Sequence, residues 1–185
     1  MTEMVPLETQ DDVRRGLGQR RTRRIAVLVL ALVLCLALDQ VTKDVARRTL
    51  ALGPRSALGG LIRLEFAENR GAFMSLGSTL SDAARVVLLF LLAAIVLGIL
   101  AVLAFRARSL ELLQFTALSL IAAGGCSNLI DRILNHGSVV DWVSVGIGWL
   151  RTGVFNVADV AIVGGGLVFL LSSFRGSRQE QNGKP

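Results

Sequence analysis

The sequence predicts a membrane α-helical fold: a four-transmembrane-helix bundle carrying a small β element on its outer face. Three observations lead there. Apolar residues make up 52% of the 185, mean hydropathy is +0.60, and only 18% of residues are charged, against about a quarter in a soluble domain. Four apolar stretches carry that weight. The polar residues that look out of place among them gather at the ends of these stretches and in the last third of the chain.

The first stretch, Ile25–Leu38, is too short to cross alone and continues as helix through Asp39 toward Val45. A cleaved signal peptide is the competing reading of this basic-then-apolar start, but no Ala-x-Ala-like site follows, and Asp39-Gln40 stands where one belongs. Spans two to four are Val86–Phe105, Leu112–Ile130 and Val154–Phe174. Each holds about 20 residues, enough for a hydrocarbon core of about 30 Å. Between spans one and two, the segment 53–82 is too long and polar for a turn. Leu58–Phe66 alternates weakly and contains Gly59-Gly60 and Ile62, which predicts a short strand or hairpin. Glu68-Asn69-Arg70-Gly71-Ala72-Phe73 reads as a loop, and Asp141 falls in a short connection between spans three and four. Met1–Gly18 and Gly176–Pro185 lack a core pattern and are expected to be disordered. The organisation is therefore a basic tail (1–24), one membrane-embedded domain (25–174, with spans at about 25–45, 86–105, 112–130 and 154–174) and a second tail (175–185).

A net charge of +6 and a pI near 10.9 invite a nucleic-acid reading. The basic residues form no single patch, however. Arg14, Arg15, Arg20, Arg21, Arg23 and Arg24 precede span one, Arg106 and Arg108 lie in the turn between spans two and three, and Arg175 and Arg178 follow span four. By the positive-inside rule both termini are cytoplasmic and no nucleic-acid partner is expected. Lys43, Arg47 and Arg48 run against that tally. The topology brings Asp39, Asn128, Asp131, Asp141, Asn156 and Asp159 to one membrane face. Cys35 and Cys126 sit inside spans and read as inert buried thiols.

Ionisable groups at membrane depth are costly, so they mark function. The single histidine, His136, leaves no His-Glu-x-x-His zinc motif, and Gly-x-Ser-x-Gly is absent. A serine–lysine dyad would rest on Lys43. Carboxylates remain: two sharing a site cannot both ionise cheaply, so one can act as acid and the other as base on a water molecule. The residues alone leave Asp131 and Asp141 both eligible, although Arg132 beside Asp131 suggests a structural ion pair. Plainer roles compete. Asp39 and Lys43 can form a helix-end salt bridge, Asn156 can be an N-cap, and Gly164-Gly165-Gly166 fits close helix packing. A non-catalytic transporter using the acids as a proton relay is the alternative function, but neither a broken helix nor repeat symmetry supports it.

Four motifs are decisive: Asp39-Gln40-Val-Thr42-Lys43, Asn69-Arg-Gly71-Ala72, Gly124-Gly125-Cys-Ser-Asn128-Leu-Ile-Asp131-Arg132, and Val140-Asp141 followed by Phe155-Asn156-Val-Ala158-Asp159. In this order, over about residues 25–172, the chain resembles the lipoprotein signal peptidases (signal peptidase II), aspartyl proteases of the bacterial inner membrane. The resemblance implies a catalytic pair, Asp141 and Asp159, with Asp39, Lys43, Asn69, Gly71, Asn128, Arg132 and Asn156 binding substrate or ordering the site. It also implies cleavage of prolipoproteins before a diacylglyceryl-modified cysteine, with no metal and no cofactor. Contact with membrane lipid, a monomeric state and an active site near the outer face are expected. Ser127 stands where the family usually has Gly, Trp142 replaces the common Phe, and Phe73-Met74-Ser75 departs from Ala-Phe-Ser. These departures bear on pocket shape and remove no carboxylate.

Overall fold

The computed structural model describes residues 10–69 and 110–182, together with the single positions 84, 87, 90, 91 and 98. Among them are three helices long and apolar enough to cross a membrane. Helix α1 is Gln10–Thr49, α2 is Leu112–Leu134 and α3 is Val157–Asn182. Most of the span expected at Val86–Phe105 lies outside the described residues; Val87, Phe90, Leu91 and Gly98 within it are helical.

α1 is 40 residues long, or about 60 Å at 1.5 Å per residue. It begins well before its apolar stretch, so Gln10–Gly18 is helical rather than disordered, and α3 likewise runs on to Asn182. An apolar span supplies the costly nucleus, and the flanking Arg, Gln and Leu residues extend it at little expense. Val29, Val33 and Leu38 of α1 and Val163, Leu167 and Leu171 of α3 point outward uncovered, as lipid-facing side chains do.

α2 is the central helix, packed on both α1 and α3. Its contact with α3 depends on small residues. A Cβ on Gly124 would overlap the Ala158 carbonyl oxygen, and one on Gly165 would lie 2.7 Å from the Ala117 oxygen. Such close backbone approach is how helices associate where hydrophobicity cannot drive them together. Of the glycine triplet only Gly165 makes this contact; Gly164 and Gly166 face open space. At the far end of α2, Glu111 and Gln114 form a capping box, and Arg24 of α1 donates to the Leu110 oxygen while stacking 5.3 Å from the Phe115 ring centre.

A four-stranded antiparallel sheet completes the described fold in the order β1 (Arg55–Ala57), β2 (Ile62–Asn69), β3 (Val139–Ile147), β4 (Leu150–Arg151). The expected hairpin is β1–β2, with Leu58–Gly60 as its 3-10 turn. Asn69 and Glu68 end β2 instead of starting a loop, and the rest of the expected loop, Gly71 included, lies outside the described residues. The connection between spans three and four is not a simple link either. It is the nine-residue strand β3 with a partner, β4. α2 ends in a left-handed turn at His136 (φ 51°) and Gly137 (φ 94°), where the Gly137 N–H donates to the Arg132 oxygen at 2.8 Å. That reversal closes the α2 carbonyls and lays β3 beside the helix it has just left.

Candidate active site

Apart from Gly71, which lies outside the described residues, the expected site residues converge where the ends of α1 and α2 and the start of α3 meet β2 and β3. Asp141, on β3, is 2% exposed. Its Oδ1 accepts from Asn156 Nδ2 at 2.7 Å and its Oδ2 from Asn69 Nδ2 at 3.1 Å. Asp159 lies in the first turn of α3. Its Oδ1 accepts from Asn128 Nδ2 at 2.9 Å and its Oδ2 from the Asn156 backbone N–H at 3.3 Å. Asn156 is the N-cap of α3 as well as a site residue, since its Oδ1 accepts the Asp159 N–H at 2.8 Å. The two readings of Asn156 therefore describe one residue. Its side chain caps the helix through the oxygen and holds Asp141 through the nitrogen.

Below this pair lies a second set of buried charges. Lys43 Nζ is 2.5 Å from Asp39 Oδ2 and 3.0 Å from Asp131 Oδ2, and it donates to Asn128 Oδ1 at 3.1 Å. The ammonium thus spends its three protons on three acceptors. All three partners are buried, so the Asp39–Lys43 contact is far from a solvated helix-end pair. Asp131 is an ion-pair residue as its neighbourhood suggested, but its partner is Lys43. Arg132 instead donates to the Asn128 backbone oxygen at 3.2 Å. Its guanidinium feels the charges of Asp159, Asp131 and Asp141, and its buried Nε has no hydrogen-bond partner among the described residues.

The two lower carboxylates hold the two upper ones by the same device. Asp131 Oδ2 accepts the N–H of Val140, one residue before Asp141, at 3.0 Å. Asp39 Oδ1 accepts the N–H of Ala158, one residue before Asp159, at 2.9 Å. Hydrogen bonds to an ionised acceptor are the strong ones, so both backbone segments are held from beneath. Gln40 and Ser127 join the lower pair, with Gln40 Nε2 donating to Asp131 Oδ1 at 2.8 Å and to Ser127 Oγ at 3.2 Å, and Ser127 Oγ donating to Asp39 Oδ2 at 2.7 Å. Sequence reasoning gave these roles to none of Asp131, Gln40 and Ser127. The available signal was their placement within the motifs, one helical turn or less from Asn128 and Lys43.

Burial perturbs the upper acid on β3. Asp141 is pushed up from the ordinary carboxylate value to about 6. Burial is the main cause and the charge of Asp159 adds to it, while hydrogen bonds from Asn69 and Asn156 and the charge of Lys43 pull the other way. A carboxyl that keeps its proton up to about pH 6 can act as an acid toward a substrate.

Known proteins resemble this chain in sequence and fold. The family model described as Signal peptidase (SPase) II covers residues 31–175. The lipoprotein signal peptidase of Escherichia coli K12 is 33% identical over 152 residues, which is 80% of this chain and 90% of that protein. That of Treponema pallidum (strain Nichols) is 32% identical over 126 residues, 66% of this chain and 68% of the relative. Among solved structures, a bacterial membrane enzyme determined in meso at 2.3 Å superposes with a TM-score of 0.72 at 26% identity, covering 86% of this chain and 93% of the other. A second, at 1.9 Å, gives 0.71 at 27% identity, covering 80% and 92%. With the family model spanning most of its length and relatives above 30% identity, the chain belongs to the signal peptidase II family.

Proposed function

We propose that this protein is an aspartic endopeptidase of the bacterial inner membrane that removes signal peptides from prolipoproteins, cutting before the diacylglyceryl-modified cysteine. The observation that carries the reading is Asn156 Nδ2 on Asp141 at 2.7 Å while the same residue caps the turn bearing Asp159. One side chain fixes both acids relative to each other. The alternative of a proton-relay transporter is not favoured by the relatives.

In this mechanism Asp159 takes a proton from water as the oxygen attacks the scissile carbonyl, and Asp141 gives its proton to the developing oxyanion. The tetrahedral adduct then collapses. The carbonyl re-forms as its hydroxyl proton returns to Asp141, the C–N bond breaks, and the proton held by Asp159 goes to the leaving amine. Asp39, Lys43, Asn128 and Asn156 order the acids, Arg132 offsets their summed negative charge, and Asn69 with Gly71 meets the extended substrate. The finer placement belongs to the same proposal: four spans, both termini cytoplasmic, dyad at the outer face, and a monomer working alone. Substrate enters sideways from the bilayer, because withdrawing each acyl CH₂ into water costs about 0.8 kcal/mol.

The test uses purified protein with a lipidated precursor and excess chelator. Cleavage before the modified cysteine, abolished in Asp141→Asn, is expected. Failure to cut any lipidated precursor, or inactivation by the chelator, would overturn the proposal.

A further inference from the structure

The two hairpin turns of the sheet lie side by side at the end of the strands away from Asp141. From Asp141 to Ile147 β3 covers roughly 20 Å at 3.3 Å per residue. The turns are locked together. Gly146 N–H donates to the Leu61 oxygen at 2.9 Å, and the Arg151 guanidinium donates to the Gly60, Gly146 and Ser144 oxygens. So joined, they present an unusual surface for a solvated edge. Trp149 is 93% exposed and Ile147 78%, with Leu150, Leu58 and Leu61 exposed around them. Arg55 and Arg63 are exposed on the neighbouring strands but on opposite faces of the sheet, Arg55 on the face of Ile147 and Leu150 and Arg63 paired with Glu65 at 3.3 Å. A cavity of about 660 Å³ between the turns is lined by Leu58, Leu61, Arg63, Ile147 and Arg151, within the range that holds small ligands.

These side chains are not needed to close the sheet, because the backbone and Arg151 already do so. An indole at a β-turn tip, flanked by aliphatic side chains and arginines, has the composition of a membrane–water interface. Tryptophan concentrates there, and lysine and arginine answer the phosphates of anionic lipid. The three helices of the same chain fix a bilayer within reach. If the sheet stood upright, this apolar cluster would be held roughly 20 Å from the site in water; lying along the surface, it meets lipid.

We propose that the paired hairpin tips form an interfacial anchor, in which Trp149, Leu150 and Ile147 enter the headgroup boundary and Arg55, on the same face of the sheet as Ile147 and Leu150, binds the headgroup phosphate of an anionic phospholipid. The anchor holds the far end of β3 and so steadies the strand that bears Asp141. It rests on the membrane placement of the chain but not on its protease activity.

The experiment uses the full chain in vesicles of phosphatidylglycerol and phosphatidylcholine carrying lipid brominated near the headgroup. The protein has two tryptophans, so the difference between wild type and Trp149→Ser reports Trp149 alone. At least half of that difference emission should be quenched by the brominated lipid and shielded from aqueous iodide. The Arg55→Gln variant should lower the quenching in phosphatidylglycerol to the level seen in phosphatidylcholine. Iodide-accessible, bromine-insensitive Trp149 in protein that floats with the vesicles would overturn the anchor and leave the membrane placement standing. Protein that fails to float would overturn the placement itself. Quenching that varies with protein-to-lipid ratio would assign the surface to a second copy and refute the proposal, as would quenching indifferent to headgroup charge and to Arg55.

Discussion

Lys43→Met isolates the charge on which the lower half of the site is built. The ammonium is 3% exposed and lies 2.5 Å and 3.0 Å from two carboxylates that are themselves buried. At an effective dielectric constant near 20, each contact is worth about 5 to 7 kcal/mol before the cost of taking the charges from water. That cost cancels much of the gain, and removing one partner of a buried pair leaves a net loss of about 3–5 kcal/mol. Methionine fills most of the volume, so the loss reports the stranded charges rather than a void. Asp39 would keep the Ser127 hydroxyl and the Ala158 amide, and Asp131 would keep Gln40 and the Val140 amide. The variant should therefore fold, but with a loss of about 3–5 kcal/mol in chemical unfolding in detergent. Adding Asp131→Asn removes one of the two stranded charges. The double variant should be more stable than Lys43→Met alone, a coupling opposite in sign to simple addition. If Lys43→Met lies within about 1 kcal/mol of wild type, or the two changes merely add, the reasoning from buried charge is refuted.

Asp141→Asn and Asp159→Asn should each abolish cleavage of a lipidated precursor with the fold kept by circular dichroism, and the double variant should be no worse than either single one. The raised value of Asp141, about 6, means that the native state holds a proton which the unfolded chain releases near pH 4. This contribution, at most about 3 kcal/mol, is present below pH 4 and is lost as pH rises to 6. Unfolding free energies measured from pH 4 to 7 should show that slope in wild type and lack it in Asp141→Asn. The kcat/KM of wild type should fall on the alkaline side as Asp141 gives up its proton. Gly124→Ala places a methyl group against the Ala158 carbonyl, one residue before Asp159. It should slow turnover more than it lowers Tm, and equal activity with equal Tm would show that the helices have room to part.

The three apolar helices among the described residues were legible because length and composition decide them, and the meeting of polar residues at one end followed from where those spans begin and stop. The sheet was only half legible. Val139, Asp141, Val143 and Val145 alternate with period two, yet Gly146 and Gly148 and the short distance between spans suggested a mere connection. Its partner strand, Ile62–Asn69, lies far away in the chain and could not be paired with it by local pattern. Asp131 was misassigned to its neighbour Arg132 for the same reason. Adjacent helical residues point in different directions, whereas Lys43 reaches Asp131 across the α1–α2 contact. For Gln40 and Ser127 the only signal was their place within the motifs; their partners appear once the two helices are packed.

The cross-chain cap on α3 has a consequence for biogenesis. The amide of Ala158 belongs to the last helix and its acceptor, Asp39, to the first. When the first span leaves the ribosome and enters the bilayer, its carboxylate and Lys43 have only each other, and their remaining partners have not been synthesised. Catalytic competence therefore arrives in a single late step, when the final helix docks. A nascent chain truncated before residue 157 would lack both Asp159 and the amide that Asp39 accepts.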